Sequence, residues 1–196
     1  VIFTETMTKQ PQPEEIRFKG KYLQMCIRDN WEFVVRPGTT GVVGIIAVTS
    51  EQELLLVEQY RPPVEASVIE LPAGLSGDIA GQEDESFERA ASRELLEETG
   101  YTAESWSYLG SGATSGGLTN EQTHLFLARN LTRVGPGGGD DSEEIIVHHI
   151  PLAEVQDWIQ HRIHHDHVVV DFRVYAALFF IMKAGIEVFP RVQRES

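Results

Sequence analysis

Residues 93–101 read RELLEETGY, with three carboxylates crowded in just before a glycine. In a helix, residues three and four apart share a face, so Glu94, Glu97 and Glu98 converge while Leu95 and Leu96 point elsewhere. Like charges at that spacing repel. Two chemistries fit such a cluster. One is a solvated acidic face, the ordinary fate of a charge run. The other is a cation site, because a hard ion such as Mg²⁺ takes oxygen ligands from a few carboxylates and from substrate phosphates.

The flanking sequence supplies the helix. Residues 76–85 form a polar loop, Ser86 has the chemistry of an N-cap, and Phe87–Thr99 carry the helix with Phe87, Ala90, Ala91, Leu95 and, at its edge, Leu96 on a narrow apolar face. Gly100 suits the left-handed position that closes it. Before it, GVVGIIAVTS (41–50) reads as a buried strand and ELLLVEQYR (53–61) as its hairpin partner, ended by Pro62-Pro63. SVIELPAG (67–74) is a short strand that runs into a Pro/Gly loop, and residues 21–35 alternate as strands about an Asp29-Asn30 turn. After it, 106–110 and 123–131 read as strands around the glycine-rich loop 111–122. VGPGGGDDSEE (134–144) is a long loop without the Gly-Lys-Ser/Thr ending of a phosphate-binding P-loop, and 145–150 is a strand. Pro151 opens a helix near LAEVQDWIQHR, and a last helix covers about 172–184, closed by Gly185. Strands and helices mix without a regular βαβ repeat, which predicts an α+β chain, an α/β/α sandwich on a mixed sheet.

Composition restricts the partners. The chain has 196 residues, 41% of them hydrophobic, which fits one compact domain with a small appendage. Sixteen basic residues against thirty acidic ones give a net charge of −14, which disfavours nucleic acid and anionic membrane surfaces. A phosphorylated substrate would be repelled too unless cations intervene. The single cysteine, Cys26, excludes an internal disulfide and a cysteine-based zinc cluster. No apolar run reaches the roughly 18–20 residues of a membrane span. VIFTETMTKQPQPEE lacks the basic and apolar regions of a signal peptide, so the expected address is cytoplasmic.

Glu85, seven residues, then Arg93-Glu94-Leu95-x-Glu97-Glu98-x-Gly100-Tyr101 resembles the Nudix box. The family glycine would fall at position 79, which is Ile; Gly74 in ELPAG is the better counterpart, and the loop after it then holds about five extra residues. LLLVEQYRPPVEASVIELPAGL and the tail VDFRVYAALFFIMKAG are similar to ADP-ribose pyrophosphatases and related nucleoside diphosphate sugar hydrolases. Ser115-Gly116-Gly117 stands where that subfamily has Ser-Pro-Gly, which leaves GDP-mannose open beside ADP-ribose. The resemblance implies a Nudix fold over residues 41–196, preceded by a flexible arm (1–15) and an N-terminal antiparallel β element (16–40) that is a candidate dimerisation region.

It also implies roles. Glu94 and Glu98 would be the main ligands of Mg²⁺ or Mn²⁺, with Glu97 binding or bridging a further ion and the Ala73 carbonyl completing the set. Arg93 would orient a glutamate, and Glu85 would support the site from behind or serve only as a helix N-terminal charge. The general base would come from the 134–144 loop, as Glu143 or, second, Glu144. Glu121 is a rival for that role and is counted with Gln59, Arg61 and Glu70 among residues near the substrate. Arg61 would grip a phosphate or form a surface ion pair, and Glu70 would face the site or pair with a cation. Trp31 and Tyr60 would stack on a base or belong to the core. HRIHHDH (161–167) reads as a solvated helix end, with a zinc or nickel site as the lesser alternative.

The expected activity is metal-dependent hydrolysis of a nucleoside diphosphate sugar, ADP-ribose giving AMP and ribose 5-phosphate, by a homodimer with a small-molecule substrate. The alternatives are a hydrolase of a dinucleoside polyphosphate or an oxidised nucleotide, and a non-catalytic nucleotide-sugar sensor. A sensor would be expected to have lost box glutamates, and all three are present.

Overall fold

A computed structural model of the chain describes residues 13–139 and 144–185. Expectations for the arm before residue 13, for Glu143 and for the C-terminal residues after 185 lie outside them. The chain divides into two compact units, Val1–Gly38 with Ala113–Glu121, and Thr39–Gly112 with Gln122–Ser196.

The first unit is a three-stranded antiparallel sheet, β1 (Glu15–Lys19), β2 (Gln24–Arg28) and β3 (Trp31–Val35), in the order β1-β2-β3. Strand β1 goes beyond the two strands expected over 21–35. Its five residues are all exposed, so no alternation marks it. Asp29 and Asn30 both have positive φ, 52° and 65°, as a two-residue hairpin turn of the primed type requires. Cys26 and Phe33 face each other across the ladder and form the buried centre. The 113–121 excursion closes on this sheet, with the Val34 N–H donating to the Leu118 carbonyl at 2.7 Å and the Trp31 indole N–H to the Gly117 carbonyl at 2.9 Å.

Among the described residues, the second unit has two four-stranded sheets. One runs β7 (Ala73–Ser76), β4 (Gly41–Ala47), β9 (Gln122–Arg133), β8 (Tyr101–Ala113). The other runs β10 (Ile146–Pro151), β5 (Glu53–Arg61), β6 (Ala66–Glu70), β11 (Val169–Val170). The expected hairpin between 41–50 and 53–61 is corrected here. Strand β4 pairs with β7 and, in parallel, with β9, and touches β5 through the single Val48–Leu54 bridge. The run 67–74 likewise splits, with Leu71-Pro72 carrying the chain from β6 in one sheet to β7 in the other. Proline has no ladder donor, which makes this a natural place to change sheets. Pro151 ends β10 rather than opening a helix.

Among the described residues, three α-helices cover the sheets: α1 (Phe87–Thr99), α2 (Val155–Asp166) and α3 (Phe172–Lys183). Side chains alternate along a strand, so β4, apolar throughout, serves two cores. Val43, Ile45 and Ala47 pack with Ala90, Ala91 and Leu95 of α1, while Ile46 and Val48 join Leu54, Leu56 and Ile69 against Ile159 of α2 and Val174 and Ile181 of α3. This is the expected α+β sandwich. Charged groups lie inside it as well, among them Glu58, Glu70 and Glu98. Glu58 of β5 is buried and takes hydrogen bonds from Arg162 of α2 and with His148 of β10, each at 2.8 Å, which ties helix to sheet. No helix among the described residues is long and apolar enough to cross a membrane.

Candidate active site on the glutamate helix

Helix α1 begins where Ser86 takes a hydrogen bond from the Arg89 N–H at 3.3 Å and ends where Gly100 turns left-handed at φ 75°, its N–H on the Leu96 carbonyl at 2.9 Å. Both caps stand where the sequence places them. Between them, Glu94 and Glu98 flank and share the inward side that carries Ala90, Ala91 and Leu95, and they meet β7 at Gly74 and Ala73.

Arg93 organises the cluster. Its guanidinium donates to Glu85 at 3.1 and 3.3 Å, to the Leu75 carbonyl at 2.9 Å, to Glu94 at 2.7 Å and to Glu97 at 3.2 Å. Arginine is suited to this work because its planar fork has five donors. Burial opposes the guanidinium charge, but the bonds to Glu85 and the charge of Glu94 outweigh it and hold Arg93 above its ordinary value. Glu85 is thus locked behind Arg93, and Ser76 Oγ fastens the Glu85 carbonyl at 3.1 Å.

Glu94 is the strained member. Burial pushes its carboxyl up to about 7; Arg93 works against the shift, and the negative charges of Glu97 and Asp78 add to it. Its carboxylate rests directly on the backbone of Gly74, in space that a Cβ at that position would occupy. Gly74, read as the counterpart of the family glycine, is therefore the residue whose bareness makes room for Glu94. Glu98 is buried, and its Oε2 accepts the Ala73 N–H at 2.9 Å. Glu97 is half exposed. The fold so brings Glu94, Glu97, Glu98 and Ala73 to one strand–helix junction.

These donors suit a hard divalent cation. All are oxygens, and a nearby positive ion would offset the burial, and the lesser repulsion from Glu97 and Asp78, that raise the Glu94 carboxyl. Among the described residues, no three Asp, Glu, His or Cys side chains close on one point. A cation here would complete its shell with water and substrate oxygens, which is the habit of Mg²⁺.

The other expected residues fall in different places. Arg61, at the end of β5, is held bidentately by Glu70 of β6, at 3.1 Å through Nε and 2.5 Å through Nη2. Glu70 is buried and Arg61 partly exposed. Desolvation opposes the Arg61 charge, but Glu70 and, more weakly, Glu98 raise it, so the pair belongs to the electrostatic surroundings of the glutamate helix. The two side chains are thus engaged with each other across β5 and β6. Gln59 is buried two residues before Arg61. Tyr60 and Trp31 are exposed rather than core. Glu121 belongs to the first unit and pairs with Arg36 at 3.3 Å. Glu144 is exposed just ahead of β10.

Two features were not read from the sequence. Asp171 caps α3, accepting from the Arg173 N–H at 2.7 Å and from its guanidinium at 2.8 and 2.9 Å, and it also feels the charge of Arg61. An Asp immediately before an apolar helix was the available signal. The glycines of the 134–144 loop dock on the carbonyl end of α1: Gly138 N–H donates to the Glu98 carbonyl at 2.8 Å and Gly139 N–H to that of Glu97 at 3.1 Å. Gly137 lies against Thr99 with no space for a side chain.

A family profile described as the NUDIX domain matches residues 38–172. The chain is 33% identical over 138 residues to an ADP-ribose pyrophosphatase of Bacillus subtilis (strain 168), covering 66% of this chain and 70% of that protein. It is 41% identical over 106 residues to a methanol dehydrogenase activator of Bacillus methanolicus, covering 54% of this chain and 55% of that protein, so it spans about half of that relative's length. A crystal structure of an ADP compounds hydrolase superposes with a TM-score of 0.70 over 93% of this chain and 100% of the other, at 19% identity, which speaks for the fold.

Proposed function

The chain belongs to the NUDIX family, and we propose that it hydrolyses the diphosphate linkage of a nucleoside diphosphate sugar, with ADP-ribose giving AMP and ribose 5-phosphate and GDP-mannose a further substrate. The observation that carries this reading is the glutamate cluster at the Ala73-Gly74 strand, with Glu94 held by Arg93 against Gly74 and Glu98 accepting the Ala73 N–H. All the box glutamates are present, which favours a hydrolase over a sensor.

Glu94 and Glu98, with Glu97 and the Ala73 carbonyl, would hold Mg²⁺ or Mn²⁺. Such a cation neutralises diphosphate charge and acidifies bound water. Arg93 keeps Glu94 and Glu97 oriented and Glu85 fixed behind them. Gln59, Arg61 and Glu70 line the substrate side; Arg61 has the fork to grip a phosphate oxygen pair once substrate competes with Glu70. Glu143, or Glu144 beside it, takes the proton of the attacking water; Glu121 is the alternative.

Residues 16–40 serve as a dimerisation element in this reading, supported by the exposure of Ile16, Phe18 and Trp31 on the first unit. A buried, unpaired Cys26 fits a reducing, cytoplasmic setting. The test is product release with Mg²⁺ or Mn²⁺ from ADP-ribose, GDP-mannose, other nucleotide sugars, dinucleoside polyphosphates and nucleoside triphosphates, with Glu98→Gln in parallel. Turnover of a nucleotide sugar that the variant loses is expected. Saturable binding without turnover of any of them would replace the hydrolase by a sensor.

A further inference from the structure

Helix α2 exposes His161 and His165 one turn apart, with ring centroids 4.4 Å apart and planes inclined by 34°. Two nitrogens on one zinc ion, each about 2.0–2.1 Å from it, lie at most roughly 4 Å from each other. Facing imidazoles at this separation reach that geometry by small side-chain rotations. The four-residue spacing is the one by which helical histidine pairs grip zinc. His165 sits in the last turn, where the carbonyl end of the helix favours positive charge. The neighbouring acid, Asp166, is engaged by Arg162 at 2.7 Å.

We propose that His161 and His165 form a two-point chelate for a borderline divalent transition ion of the zinc, nickel or copper class. Imidazole nitrogen selects these ions, whereas the carboxylates of α1 suit magnesium and manganese, so the two sites differ in chemistry. Two imidazoles leave the rest of a zinc shell to water, so the proposed site is open and exchangeable rather than closed and structural. The proposal is independent of the hydrolase reading.

The experiment is a calorimetric titration of the untagged chain with Zn²⁺ in excess Mg²⁺, which occupies the carboxylates. Wild type, His161→Gln, His165→Gln, the double variant and His164→Gln would be compared, with circular dichroism confirming the helix in each. One saturable zinc event is expected in the wild type. Losing one arm of a chelate removes its effective-concentration advantage, so each single variant at 161 or 165 should bind about tenfold or more weakly. The double variant should not bind, and His164→Gln, about 60° from His161 and about 100° from His165 around the helix and on the far side of His161, should match wild type. Absence of zinc binding in the wild type, unchanged binding in the double variant, or an equal loss in His164→Gln would overturn the proposal.

Discussion

Gly74 and Glu94 occupy complementary space: the bare α-carbon of one is the floor under the carboxylate of the other. Adding a methyl group at position 74 leaves Glu94 nowhere to sit between β7 and Arg93. Gly74→Ala should therefore displace the carboxylate, lowering stability by about 1–3 kcal/mol as overpacking does and abolishing turnover. Urea unfolding and an ADP-ribose assay check both. Normal activity in a well-folded variant would remove Glu94 from the proposed ligand set.

Arg93 meets four acceptor groups at once, which an ammonium cannot imitate. Arg93→Lys should keep a positive charge yet lose the orientation of Glu94. Outer residues that orient metal ligands are typically worth about 10–100-fold in metal affinity or activity. We expect a loss of that size, visible as a higher Mg²⁺ requirement. An unchanged metal dependence would show that Arg93 serves stability alone.

Gly137 packs flat on the last turn of α1, with φ at 70°. Gly137→Ala adds both a clash and a disfavoured backbone conformation, each costing on the order of 1–3 kcal/mol. The amides of Gly138 and Gly139 should then exchange hydrogen faster, since their partners are the Glu98 and Glu97 carbonyls. Hydrogen exchange resolved to this segment measures it; unchanged protection would contradict the packing.

Burial works to raise the Asp171 carboxyl, but the bonds from Arg173 outweigh it and hold it below its ordinary value. A group depressed in the folded state stabilises above its unfolded pKa, about 3.9 for Asp, and loses that stabilisation as pH falls through the folded value. Asp171→Asn retains a capping oxygen but no charge. The variant should be less stable than wild type at pH 7, and the gap should close below about pH 4. Melting temperatures at pH 7, 5, 4 and 3 supply the comparison, and a constant gap would contradict it.

Arg162 neutralises Glu58 inside the unit, at 2.8 Å. Arg162→Ala strands that carboxylate beside His148, and removing one partner of a buried pair commonly costs about 3–5 kcal/mol. A variant that unfolds at nearly the wild-type urea midpoint would mean that His148 alone satisfies Glu58.

Much of the site was legible because its determinants are local. The caps Ser86 and Gly100 act within a few residues of the helix they close, and the three- and four-residue spacing of Glu94, Glu97 and Glu98 fixes a shared face by helix geometry alone. The apolar run of β4 announced a strand buried on both sides. What tertiary structure decided was partnership. Nothing near β4 or β5 says that they enter different sheets, because a strand's hydrophobic pattern does not name its neighbour. Strand β1, exposed along its length, carries no alternation to read. Local spacing could not show that Gly74 yields its side-chain space to Glu94, that Arg61 spends its fork on Glu70, or that the glycines after Val134 return to the end of α1. Each of those joins residues distant along the chain through steric fit and hydrogen bonding, and these exist only once the layers have packed.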